Sequence, residues 1–126
     1  MSLKSLSPLE QEVMNVVWKL DSCQVKSVME KLSKNKLLAY TTVATLLQRL
    51  YEKGIVNKKS EGLAFVYSPK YTRREYSRAI AKSFLHNFFK SFGESAMVSF
   101  AESVESLPKK KREDFLKLLG TYHENK

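Results

Sequence analysis

Two histidines, one cysteine and four glycines are all that 126 residues offer to the chemistries that depend on them. The lone Cys23 permits no internal disulfide, and with His86 and His123 it forms no zinc-ligand spacing, so it reads as a small, partly buried side chain. So few glycines leave no phosphate-cradling loop, and there is no nucleophile elbow, zinc-protease helix or histidine dyad; neither catalysis nor a cofactor is expected. No run approaches the roughly 18 apolar residues that span a bilayer, and the opening MSLKSLSPLEQE lacks a secretory apolar stretch. A cytoplasmic protein without membrane insertion is the expectation. Acid is also scarce: 13 Asp and Glu stand against 22 Lys and Arg, a formal charge of +9. Such a balance favours nucleic acid or another anionic surface as partner. Residues 1–71 hold 11 basic and 6 acidic side chains and residues 72–126 hold 11 and 7, so the excess is no basic tail.

What is present is helical periodicity with clear boundaries. Ser7-Pro8-Leu9-Glu10 is a capping box with proline in the first helical position, and Leu9, Val13, Val16, Val17 and Leu20 share one face of a helix ending near Leu20. Val25, Val28, Met29 and Leu32 repeat at amphipathic spacing in a short second helix ending near Ser33, followed by a basic link, Lys34-Asn35-Lys36. A third helix buries Val43, Leu46, Leu47 and Leu50 and stops at Gly54. Ile55 to Pro69 has strand composition around Ser60-Glu61-Gly62, which predicts a hairpin with Leu63, Phe65 and Tyr67 on one face and Ala64 and Val66 on the other. Thr72 to Glu75 opens a long helix with an apolar stripe of Tyr76, Ala79, Ile80, Phe84, Leu85, Phe88, Phe89 and Phe92, ended by Gly93. Met97, Phe100, Ala101 and Val104 mark a further helix. Phe115, Leu118, Leu119 and Tyr122 mark another, stopping around Gly120 to His123. The run Lys109 to Arg112 at its start reads as a solvated segment.

Three helices and a hairpin within about sixty residues are the layout of a winged helix-turn-helix. The fold class is mainly α with a small β-hairpin: a winged-helix domain over 1–71 and a helical region over 72–126. In this layout the third helix lies in the major groove and the hairpin, or wing, lies along the backbone. Opposite its buried side the third helix carries Thr41, Thr45, Gln48 and Glu52, flanked by Ala44 and Arg49. A groove about 12 Å wide calls for short side chains at closest approach, which Thr41, Thr42, Ala44 and Thr45 supply. Threonine offers a methyl to thymine and a hydroxyl to a base or phosphate, Gln48 can pair with adenine, and Arg49 can reach guanine or phosphate. One of Thr41 and Thr42 is expected to cap the helix. Capping does not account for Thr45 in mid-helix, where a β-branched polar residue is a mediocre helix former. Lys58 and Lys59 on the first strand read as phosphate contacts.

The strings L-S-P-L-E at Leu6 to Glu10 with Trp18 beyond, T-V-A-T-L-L-Q-R-L-Y-E-K-G at Thr42 to Gly54, and G-L-A-F-V-Y-S-P at Gly62 to Pro69 carry a resemblance. Across essentially its whole length the chain resembles the bacterial penicillinase-repressor family, the BlaI/MecI/CopY group of winged-helix transcriptional regulators. The resemblance implies a homodimeric repressor on a palindromic double-stranded DNA operator, with Tyr40, Thr41, Thr42, Ala44, Thr45, Gln48, Arg49, Lys58 and Lys59 at the DNA. It also implies that the helices after the wing form the dimer, through Tyr76, Ile80, Phe84, Phe88, Phe89, Phe92, Phe100, Phe115, Leu118 and Leu119. This agrees with an aromatic stripe too broad for one slender helix to bury alone. Relatives of the antibiotic-resistance type answer to a membrane sensor and are cut at an Asn-Phe bond. Here the matching pair is Ser99-Phe100, which keeps the phenylalanine but not the asparagine and argues against control by a sensor protease. The paired cysteines of the copper-responsive branch are missing, so thiol-based metal response is excluded.

A winged helix can instead dock on a protein. Such modules usually lack a basic surface around the third helix, whereas residues 34–60 hold six basic side chains and one acid. DNA is the favoured partner.

Overall fold

A computed structural model of the chain describes residues 3–32 and 38–124. The elements are α1 (Pro8–Leu20), α2 (Val25–Leu32), α3 (Tyr40–Glu52), β1 (Val56–Glu61), β2 (Ala64–Pro69), α4 (Arg73–Phe92), α5 (Glu94–Glu105) and α6 (Lys109–Glu124). They form two compact units, Met1–Ser83 and Phe84–Lys126. Ser33 and the link at residues 34–36 lie outside the described residues.

Local chemistry sets most boundaries in the first unit. The Ser7 hydroxyl accepts from Glu10 N–H at 3.2 Å while the Glu10 carboxylate accepts from Ser7 N–H at 2.8 Å, so the box that opens α1 is complete. Thr72 and Glu75 repeat it at α4, at 3.0 and 2.8 Å. At the end of α3, Gly54 takes φ +76°, its N–H donates to the Tyr51 carbonyl and Ile55 N–H donates to the Leu50 carbonyl. That 6→1 and 5→2 pair closes the helix and turns Ile55 into the core.

The core of this unit collects Val13, Met14 and Val17 from α1, Val25, Val28 and Leu32 from α2, and Val43, Leu46, Leu47 and Leu50 from α3. Cys23, Ile55, Val56, Tyr67 and Tyr76 complete it. The strands pair antiparallel from Val56 with Pro69 to Glu61 with Ala64. Cys23 forms an isolated bridge to Tyr67, with N–H to carbonyl bonds of 2.9 and 2.7 Å, on the other edge of β2. Cys23 is buried, at 4% exposure.

Expectations change at the hairpin and along α4. The turn is Gly62-Leu63, because Ser60 and Glu61 are paired strand residues; Gly62 at φ +65° in first position fits a two-residue hairpin turn. Leu63 therefore stands exposed at the tip and leaves the face of Phe65 and Tyr67. Tyr76, expected on the dimer face, is buried in the first unit: it is 5% exposed, its hydroxyl donates to the Lys4 carbonyl at 2.7 Å, and its ring lies 5.8 Å from that of Trp18. Ile80 packs against the same core. The opening turns of α4 thus belong to the first unit, and the division falls at Ser83–Phe84, later than the 71/72 boundary expected. Trp18 reinforces this by donating to the Tyr71 carbonyl at 2.9 Å, with the Arg73 guanidinium 5.0 Å over its ring.

An ion pair not anticipated from the sequence joins α1 to the end of α3. Lys53 Nζ lies 2.7 Å from Glu10 Oε1 and also donates to the Ser5 carbonyl at 3.2 Å. Burial pushes the Glu10 carboxyl up, but Lys53 and the Ser7 hydrogen bonds together outweigh it and hold it below its ordinary value.

The second unit contains the end of α4, α5 and α6. Its rings touch in series, Phe84 to Phe88 at 5.6 Å, Phe88 to Phe92 at 5.4 Å, Phe89 to Phe100 at 6.5 Å and Phe100 to Phe115 at 6.4 Å. Only Ala96 is buried among its described residues, while Phe84, Phe92, Leu118, Leu119 and Tyr122 are each more than half exposed. An apolar groove of about 340 Å³ runs between Phe89, Phe100, Phe115 and Leu119. Contrary to expectation, α6 runs on through Gly120 to Glu124.

Candidate nucleic-acid interface

The buried positions Val43, Leu46, Leu47 and Leu50 fix the rotation of α3 and turn its opposite side away from the core. Tyr40, Thr41, Thr42, Thr45 and Arg49 are exposed there. Ala44 is half-buried against the core, and Gln48 is half-buried on the side towards the wing. Thr41, Thr42, Thr45 and Arg49 also border a recess of about 280 Å³ with Leu9 and Leu46.

Neither threonine at the start of α3 is its cap. The cap position is Ala39, whose carbonyl accepts from Val43 N–H at 3.1 Å, and no side chain caps the helix. Leu38 and Val43, both packed in the core, occupy the two positions of a hydrophobic staple. The helix start is therefore set by apolar packing, and its first-turn N–H groups present a positive end to any anion. The Thr45 hydroxyl donates to the Thr41 carbonyl at 2.9 Å, so its outward contribution is a methyl and oxygen lone pairs.

The two wing lysines differ. Lys59 is exposed. Lys58 is half-buried on the opposite face of β1, directly across from Tyr67, and its ammonium donates to Gln48 Oε1 at 2.6 Å. The same ammonium sits 4.1 Å from the Phe65 ring centroid and 5.5 Å from that of Tyr51. Phe65 and Tyr51 were not singled out from the sequence as part of this surface. The alternation that grouped Phe65 with Tyr67 was the available signal.

Elsewhere, Ser99-Phe100 lies inside α5, where the Ser99 carbonyl accepts from the Ser103 hydroxyl at 2.9 Å; cutting there would require the helix to open. Burial pushes the Cys23 thiol up to about 11. Among the described residues no three His, Cys, Asp or Glu side chains converge to hold a metal.

Three helices and a two-stranded wing give the first unit the winged-helix fold that DNA-binding transcriptional repressors carry. The chain belongs to the penicillinase repressor family, whose sequence model matches residues 6–120. Proteins of this family are repressors rather than enzymes. The chain is 35% identical over 101 residues to the penicillinase repressor of Bacillus licheniformis, covering 80% of this chain and 79% of that one. Two solved structures are similar over 60% of this chain. One is the DNA-binding domain of the repressor BlaI, with TM-score 0.53, 38% identity and 94% of that chain covered. The other is the monomeric form of Bacillus licheniformis BlaI in complex with the blaP half-operator, with TM-score 0.50, 37% identity and 92% covered.

Proposed function

We propose that two copies of this chain form a cytoplasmic homodimer that represses transcription by binding a palindromic operator. In each half, α3 enters the major groove while the wing lies along the backbone. The observation that carries this reading is the outward face of α3, which runs from an uncapped helix start through short side chains to Arg49 in its last turn. Tyr40, Thr41 and Thr42 meet phosphate near the helix N-terminus. Ala44, Thr45 and Gln48 face base edges, and Arg49 and Lys59 reach backbone or guanine. The likeness to a protein solved in complex with a half-operator supports operator binding here. Pairing of the two copies rests on the second unit. Its exposed rings, with Leu118 and Leu119, are large apolar side chains gathered in one unit, which supports an interaction surface there.

A gel shift of the full chain on the DNA upstream of its own gene, with sedimentation of the free protein, tests both halves. The expected result is a salt-sensitive specific shift by a species of twice the chain mass. A monomer, or equal affinity for all duplexes, would overturn the reading.

A further inference from the structure

The wing and the groove-facing helix are joined by a contact that the docking mode above leaves unused, the 2.6 Å hydrogen bond from Lys58 Nζ to Gln48 Oε1. An ammonium has three donors and no acceptor, so the amide can meet it only with its oxygen. That fixes the orientation of the amide and turns its amino group away from Lys58. The lysine is itself held. It stands opposite Tyr67 in the hairpin, Phe65 lies on the same face through its pairing with Ser60, and the ammonium rests 4.1 Å from the Phe65 centroid. Tyr51, one helical turn after Gln48, closes the other side at 5.5 Å.

Glutamine reads adenine with both ends of its amide, the oxygen accepting from N6 while the amino group donates to N7. Oε1 keeps a second lone pair, but the adenine N6 amino group would have to share that oxygen with an ammonium 2.6 Å away, which weakens it as an acceptor. The amino group, turned away from Lys58, is matched instead by the acceptors guanine O6 and N7 or thymine O4. We infer that Lys58 is a specificity-positioning residue: by holding Gln48 as a donor it directs the helix towards a base presenting acceptors and away from adenine. The inference rests on α3 entering the major groove, and it gives this lysine a role other than neutralising phosphate.

The full-length chain is selected on a random-sequence duplex library and the bound fraction sequenced, for the wild type and for Gln48→Ala, Lys58→Met, Phe65→Leu and Lys59→Met. The position read by Gln48 is the one whose preference Gln48→Ala erases. Guanine or thymine is expected there for the wild type, and Lys58→Met shifts the preference towards adenine by about tenfold, the equivalent of one base contact. Phe65→Leu, which removes the ring but not the charge, shifts it part of the way and serves if Lys58→Met folds poorly. Lys59→Met weakens every duplex without a shift. Uniform weakening by Lys58→Met with the same base preferred, adenine preferred by the wild type, or no position answering to Gln48→Ala would each overturn the inference while leaving the repressor reading intact. No enriched sequence for any protein would overturn both.

Discussion

Lys53→Met removes the cation from a carboxylate that has almost no water. Glu10 is 2% exposed and is held by Lys53 at 2.7 Å and by Ser7 N–H at 2.8 Å. Breaking a fully buried pair costs about 3–5 kcal/mol; the Lys53 side chain is 27% exposed, so water relieves part of the loss and about 2–3 kcal/mol is expected at pH 7. For a unit of this size that is roughly a 10–20 °C drop in Tm. The pH dependence separates this cause from lost packing. In the wild type Glu10 lies below its ordinary value of 4.5, so its contribution is fully present above that value and fades as pH falls through the lower folded value. In Lys53→Met two of the influences that lower this carboxyl are gone while its burial remains, so it rises from its wild-type value. The variant is therefore weakest near neutrality, and its deficit shrinks on acidification because a protonated carboxyl needs no cation. Glu10→Gln with Lys53→Met should recover more than half of the loss. Urea unfolding followed by circular dichroism from pH 3 to 8 measures all three proteins. A deficit that is below about 0.5 kcal/mol, or constant across that range, would refute the reasoning.

Cys23, with its thiol at about 11, exposes a thiolate fraction of about one in a thousand at pH 8. It should resist a disulfide reagent until urea unfolds the chain, and fast reaction of the native protein would contradict its burial. Because the Thr45 hydroxyl is engaged with the Thr41 carbonyl, Thr45→Val should keep most of the operator affinity and Thr45→Ala should lose about 1 kcal/mol by fluorescence anisotropy. Equal loss in both variants would mean that the hydroxyl, not the methyl, meets the base. Phe84→Glu with Phe92→Glu, at rings 59% and 60% exposed, should convert a dimer to a monomer in sedimentation without lowering the first unit's melting point. A dimer that survives both changes would place the interface elsewhere.

The parts of this fold legible in the sequence are those written in local chemistry. Ser7 with Glu10, Thr72 with Glu75, and Gly54 each act within a turn of their own position, and each lies where its residue type says it should. Misreadings arose where packing over distance outranked the local signal. Thr41 and Thr42 are good caps by type, yet α3 starts at Tyr40 because Leu38 and Val43 enter the core on either side of Ala39. Ser60 and Glu61 are good turn residues, yet burial of Tyr67 and its bridge to Cys23 set the register, and a hairpin whose core face is fixed cannot slip by one residue. The stripe on α4 reads as continuous because a helix keeps its period whatever it packs against, so nothing in the sequence marks where Tyr76 and Ile80 leave one core and Phe84 begins another surface. The same limit applies to the candidate site. Thr41, Thr45 and Arg49 follow from helical rotation alone, whereas the pairing of Gln48 with Lys58 requires the wing register, which places Lys58 across from Tyr67 and beside Phe65. Periodicity therefore finds which residues face a groove, while the polarity each one presents there depends on a neighbour that only the fold supplies.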